Sequence, residues 1–127
     1  MAETIVAGAL QFHAEDRSTG RDGGPSLQVY CTDAGSPVQI LRFDMFRNQP
    51  HYHYAPMGQD LRYNLDPLTL DDGIGWVIGL LGSKLPQVLA KAGYEQLATP
   101  ENVSAAMAAL PEVERRWRAV CGQTAAA

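Results

Sequence analysis

The residues best suited to chemistry lie in one stretch, Arg42 to Pro56, which reads RFDMFRNQPHYHYAP. It holds two of the chain's three histidines, His51 and His53, one residue apart, with Asp44 seven residues before the first of them. Side chains i and i+2 of a strand share a face, so His51 and His53 point one way and Tyr52 and Tyr54 the other. Two imidazoles presented like this, with a carboxylate as third ligand, suit a divalent transition metal such as zinc or iron. Asp44 is the nearest carboxylate, and His13 is a further candidate ligand. The set His13, Asp44, His51 and His53 would leave a position open for water or substrate, as a catalytic metal requires. The same residues support chemistry without a metal. Asp44 would orient one histidine as general base, the second would act as acid, and Arg42 would hold an anion. That fits phosphodiester cleavage or proton transfer beside a carbonyl. A third reading gives them no reaction: His51 and His53 decorate an outer strand face, and Arg42 and Asp44 form a surface ion pair worth little.

The element that must position these groups is a β-hairpin. Gln39–Phe46 interleaves apolar, aromatic and polar residues, Arg47–Pro50 is a polar connection ending in proline, and His51–Tyr54 alternates strictly. Parity puts Leu41, Phe43 and Met45 on one face and Ile40, Arg42, Asp44 and Phe46 on the other. Pairing the first set with Tyr52 and Tyr54 on a buried face gathers Arg42, Asp44, His51 and His53 opposite. A slip of one residue would reverse the match.

Around the hairpin the chain reads as a strand at Thr4–Glu15, a loop or lid at Asp16–Pro25 and a strand at Ser26–Thr32 with Leu27, Val29 and Cys31 inward. Asp33–Pro37 and Ala55–Gly58 read as turns, and Asp60–Asp66 as a fifth strand. From Leu70 the pattern becomes helical. Asp71 or Asp72 caps a helix carrying Trp76, Val77, Leu80 and Leu81, which Gly82 ends. Ser83 starts another, with Leu85, Val88 and Leu89 on one stripe and Pro86 in its first turn. Thr99-Pro100-Glu101 opens a third, and Pro111 breaks or kinks it before a last segment holding Val113 and Trp117. Arg115, Arg116 and Arg118, beside Glu112 and Glu114, read as a solvated helix face. The predicted class is α+β: an N-terminal antiparallel sheet of about five strands with two to four C-terminal helices packed on one face. Residues 1–120 form one domain in this reading, and Cys121–Ala127 a disordered tail.

Ten basic residues against fourteen acidic ones give a net charge of −4, which offers no general pull toward nucleic acid or anionic membrane. No run approaches the ~20 apolar residues of a membrane span. The start, MAETIVAGALQFH, lacks the basic and apolar segments of a signal peptide, so the expected compartment is the cytoplasm. Cys31 and Cys121 lie far apart without metal-binding spacing, and Cys31 reads as a small core residue. An open antiparallel sheet has edges that favour pairing, so a homodimer or an accessory partner protein is expected beside a small-molecule substrate.

The segment ILRFDMFRNQPHYHYAP with the later GWVIGLLGSKLPQVLAKAGY resembles a group of small uncharacterised bacterial proteins. That group carries an RFDxF…PHYHY hairpin followed by a W…LPxxLxxAGY segment. The resemblance covers Val38 to Tyr94 and implies no activity. A fainter similarity runs to TumE-like toxins of toxin–antitoxin pairs, which show an FRxDN strand and then a histidine-rich segment. Arg42-Phe43-Asp44 matches the first piece and His51 and His53 the second, while Met45 stands where that family has asparagine. This similarity implies a ribonuclease-type toxin. The residues themselves lead to a metal-dependent hydrolase or lyase, or a His/Asp acid–base enzyme, acting on a small polar substrate. The competing class is a non-catalytic interaction module whose sheet face binds a partner chain.

Overall fold

The computed structural model describes residues 2–33 and 35–123. The described residues form six strands: β1 (Ala2–Ala7), β2 (Leu10–Ser18), β3 (Gly23–Asp33), β4 (Ser36–Asp44), β5 (His51–Tyr54) and β6 (Leu61–Asn64). Two helices follow, α1 (Gly73–Lys91) and α2 (Pro100–Val120), with a 3₁₀ turn, Glu95–Leu97, between them. The strands stand in the sheet in chain order, each antiparallel to the next. The α+β class and the helix-covered sheet agree with the sequence reading.

The count of strands differs because Thr4–Glu15 is two strands, not one. Gly8 turns the chain with φ +61°, and a Cβ there would meet Asn102 Oδ1 at 2.6 Å. Glycine is the residue that tolerates both demands. Asp16–Pro25 also departs from expectation. Its ends pair as strand, Asp16 with Pro25, Arg17 with Gly24 and Ser18 with Gly23, which leaves only residues 19–22 as loop.

One face of the sheet carries the core. Leu10, Phe12, Leu27, Val29, Leu41 and Phe43 are fully buried there against Ile74, Val77, Leu81, Val113 and Trp117 from the helices. Each such side chain contributes about 1.5–3 kcal/mol when removed from water. Cys31 belongs to this core, as expected. Ile40 joins it too, against its parity. The β3–β4 register shifts between Val29 and Tyr30, so Ile40 is an extra residue on its strand and turns inward beside Leu41.

Both helices run through their expected breaks. Asp72 caps α1 by accepting a hydrogen bond from Gly75 N, 3.1 Å. The helix continues past Gly82 and kinks at Lys84 (φ −138°, ψ 24°), two residues before Pro86, whose ring would otherwise strike the carbonyl of Gly82. Thr99 caps α2 by accepting from Asn102 N, and the helix passes through Pro111 unbroken. By length and composition α1 could cross a bilayer, yet here it buries Ile74, Val77, Leu81, Leu85, Val88 and Leu89 in the fold.

Arg118 is not solvated. It is buried, and its guanidinium donates to Asp72 Oδ2 at 2.7 Å and pairs with Glu114 Oε2 at 2.9 Å, clamping the start of α1 to the end of α2. The chain after α2 is also held further than expected: Gln123 N donates to Arg118 O at 2.7 Å. Residues 124–127 of the expected tail lie outside the described residues.

Candidate metal centre

The site follows from an aromatic ladder on the opposite side of the sheet. Phe43 of β4 stacks on Tyr52 of β5 at 5.8 Å between ring centroids, and Tyr52 stacks on Tyr63 of β6 at 5.5 Å. Trp76 of α1 closes over Tyr52 at 5.4 Å, and Lys91 Nζ lies 4.6 Å above the Tyr63 ring. Such cross-strand pairs favour one register, and a slip of one residue would turn Tyr52 and Tyr54 to the polar face. The register they hold places Asp44 opposite His51 and Arg42 opposite His53.

On the face away from the helices, Asp44, His51 and His53 are all buried. One carboxylate oxygen and one ring nitrogen from each histidine lie within 4.8 Å of one another, which makes these three a group able to hold a metal ion. His51 Nε2 stands 3.2 Å from Asp44 Oδ2. Ligands about 2.0–2.2 Å from a tetrahedral zinc sit roughly 3.3–3.5 Å apart, so this pair is already at a shared-ligand spacing.

The outer bonds decide which ring nitrogens face inward. His51 Nδ1 lies 2.9 Å from the Gln49 carbonyl oxygen, which can only accept, so Nδ1 carries the hydrogen. His53 Nδ1 donates to Asp60 Oδ1 at 2.7 Å, while its Nε2 accepts from Arg42 Nη2 at 3.0 Å. His51 therefore turns Nε2 toward Asp44, His53 turns Nε2 to Arg42, which itself bonds Asp44, and both rings spend Nδ1 on an outside acceptor, the arrangement found behind metal-ligating imidazoles. Burial holds the His53 pKa below its usual value, with Arg42 adding to the effect and Asp60 opposing it. With Nδ1 carrying a hydrogen, His51 Nε2 meets Asp44 Oδ2 at 3.2 Å either as a doubly protonated ring that donates to the carboxylate or with a cation held between the two.

Asp44 is the hub. Its Oδ1 accepts from Ser26 Oγ at 2.7 Å and lies 3.5 Å from Arg17 Nη1, and its Oδ2 accepts from Arg42 Nε at 3.0 Å. Burial pushes its pKa up, but the bonds from His51 and Ser26 and the charges of Arg42 and Arg17 outweigh that and hold it at about 2. Arg42 thus touches two of the three candidate ligands. Behind His51, Asp22 accepts from the backbone amides of Gly23, Asn48 and Gln49 at 2.9, 3.1 and 3.0 Å, fixing the residue whose carbonyl orients the ring.

His13 does not belong to the group. It occupies the same cross-strand row as Gln28, Arg42 and His53, but on β2, three strands from β5. Strands about 4.8 Å apart put it roughly 14 Å from His53, beyond the reach of a shared ion. Instead it bonds Thr4 Oγ1 at 3.0 Å and lies 3.4 Å from Glu15 Oε2. Parity was enough to choose its face and too little to count the strands between. Sequence reading missed Asp60, Ser26, Arg17 and Asp22. Ser26 shares the parity of Gln28 and was legible; Arg17 and Asp22 were hidden in a presumed loop; Asp60 sits in a turn with φ +52°.

Three surface clefts of about 200–250 Å³ are lined by other residues and by neither His51 nor His53. Cys121 offers no thiolate, since burial pushes its pKa to about 11. No curated protein and no solved structure matches the chain. Residues 4–117 match the family described as "Domain of unknown function (DUF7700)", so the chain belongs to that family.

Proposed function

We propose that this protein is a small metal-dependent enzyme, a hydrolase or lyase acting on a small polar substrate, with Asp44, His51 and His53 as the ligands of a divalent zinc or iron. The observation that carries the reading is the convergence of one ring nitrogen from each histidine and one oxygen of a buried carboxylate within 4.8 Å, with both Nδ1 atoms bonded to acceptors outside the group. Two imidazoles and a carboxylate suit either ion and leave coordination positions for water or substrate. The ion would supply a bound water acidic enough to deprotonate near neutral pH. The chain's own residues supply the rest. Asp60 and Gln49 hold the rings in one tautomer, Ser26 fixes the second carboxylate oxygen of Asp44, and Arg42 and Arg17 lie at the solvent edge to hold a polar substrate.

One observation favours a second reading. Arg42 already places a cation against both Asp44 Oδ2 and His53 Nε2. In that reading Asp44 and His51 act as an acid–base pair without a metal, and Arg42 holds an anion.

Elemental analysis of the untagged protein beside a His51→Ala/His53→Ala variant, matched for folding by circular dichroism, tests the first reading. Near-stoichiometric transition metal that disappears in the variant supports it. Absence of metal from the wild type, even after incubation with zinc or iron, overturns it. An Arg42→Ala variant separates the two: metal affinity rises if the guanidinium competes with an ion, whereas activity disappears without change in metal content if Arg42 is the working cation.

A further inference from the structure

Next to the candidate centre a cleft of about 210 Å³ opens where β2 hands over to β3. Arg17, Arg21 and Arg47 line it, together with Asp16, Asp22 and Gly24. Three of the ten basic residues of an acidic chain therefore meet in one small concavity. Its two acids against three arginines leave the lining a net charge of +1. Both carboxylate oxygens of Asp22 are engaged by the backbone amides of Gly23, Asn48 and Gln49, and the Arg47 charge acts on the same carboxylate. Arg21 and Arg47 are exposed, and among the described residues neither side chain makes a hydrogen bond or ion pair that would occupy its fork of donors. Arg17 belongs to both places: it lines the cleft and reaches Asp44 Oδ1 at 3.5 Å. Opposite Arg17 on β3 stands Gly24, so no side chain from that position lies between Arg17 and Asp44.

We infer that this cleft is an oxyanion subsite, and that the substrate of the adjoining centre carries a phosphate or carboxylate group held by Arg17, Arg21 and Arg47. Guanidinium forks match the oxygens of both groups and bind them with charge-assisted hydrogen bonds. Arg17 would then set the distance between the bound anion and the Asp44 side of the molecule. The word substrate rests on the catalytic reading of Asp44, His51 and His53; the anion site itself does not.

The test is titration of the folded protein with inorganic phosphate and with acetate, followed by calorimetry and by arginine side-chain NMR signals. An Arg21→Ala/Arg47→Ala variant removes two exposed side chains and leaves the core intact. Saturable binding that falls about tenfold or more in this variant, and weakens as salt rises, establishes the subsite, and the tighter anion names the group. Binding that persists unchanged in the variant, or no saturable binding of either anion by the wild type, overturns it. His51→Ala/His53→Ala keeps the two readings apart. It should retain anion binding whether or not it loses a metal, so failure of the metal centre leaves this result standing.

Discussion

Two charge clusters, each around a buried hub, hold this fold, and they are built differently. Around Arg118, one cation meets Asp72 and Glu114, and every partner has the opposite sign. The pairing lowers the Asp72 pKa and raises that of Arg118, each chiefly through their mutual hydrogen bond. Only one protonation pattern satisfies it. Around Asp44, one carboxylate meets two arginines and a histidine, a second histidine lies against the first at 5.1 Å between ring centroids, and an imidazole nitrogen meets a carboxylate oxygen at 3.2 Å. More than one arrangement of protons or cations fits there. A buried hub is common to both; a choice of charge state belongs only to the second. That separates a clamp from a centre that can exchange a proton or hold an ion.

The comparison can be broken most easily by removing each hub. Arg118→Ala should cost about 2 kcal/mol in urea unfolding, because it removes the charge-assisted hydrogen bonds of a buried guanidinium to two partly exposed carboxylates, while metal content and anion binding stay as in the wild type. Loss of metal in that variant would mean the clusters are not independent. A pH series on metal-free protein gives the next largest effect. The folded pKa of Asp44 lies at about 2, below its unfolded value, so its contribution is present above about pH 4 and is lost as pH falls toward 2. The loss should amount to roughly 2 kcal/mol, and Asp44→Asn should lack that component of the acid transition. Equal acid sensitivity in both proteins would remove Asp44 as its source.

Smaller effects sharpen the distinction. Asp60 is half exposed but sits at φ +52°, so Asp60→Ala should cost no more than about 1 kcal/mol of stability. It also frees the His53 ring, so metal affinity should fall about tenfold, as for other outer-sphere partners. A stability loss without any change in metal affinity would recast Asp60 as a turn residue only. Ser26→Ala should cost about 1–2 kcal/mol by removing two buried hydrogen bonds, one donated to Asp44 Oδ1 and one accepted from Gln28 Nε2, read from the shift in urea midpoint. No shift would show that Arg17 alone satisfies Asp44 Oδ1.

Residue alternation in the sequence was sufficient to place the PHYHY hairpin and to put Arg42 with Asp44, and His51 with His53, on one face of each strand, because strand parity is a local property with period two; the register that brings the two pairs together belongs to the sheet. Helix caps at Asp72 and Thr99 were legible for the same reason: a cap is made by residues three positions apart. What depended on distant neighbours was not legible. The turn at Gly8 answers to Asn102 on α2, and the inward Ile40 answers to a register shift against β3. Pairing with β3 extends β2 into a glycine-rich stretch that reads as loop, and that pairing delivers Arg17 to Asp44. His13 has the right chemistry and the right face, but only the order of strands in the sheet shows it to be too far away. The sequence by itself determined which residues share a face; the tertiary structure decided which of them share a site, because alternation runs along a strand and distance accumulates across the sheet.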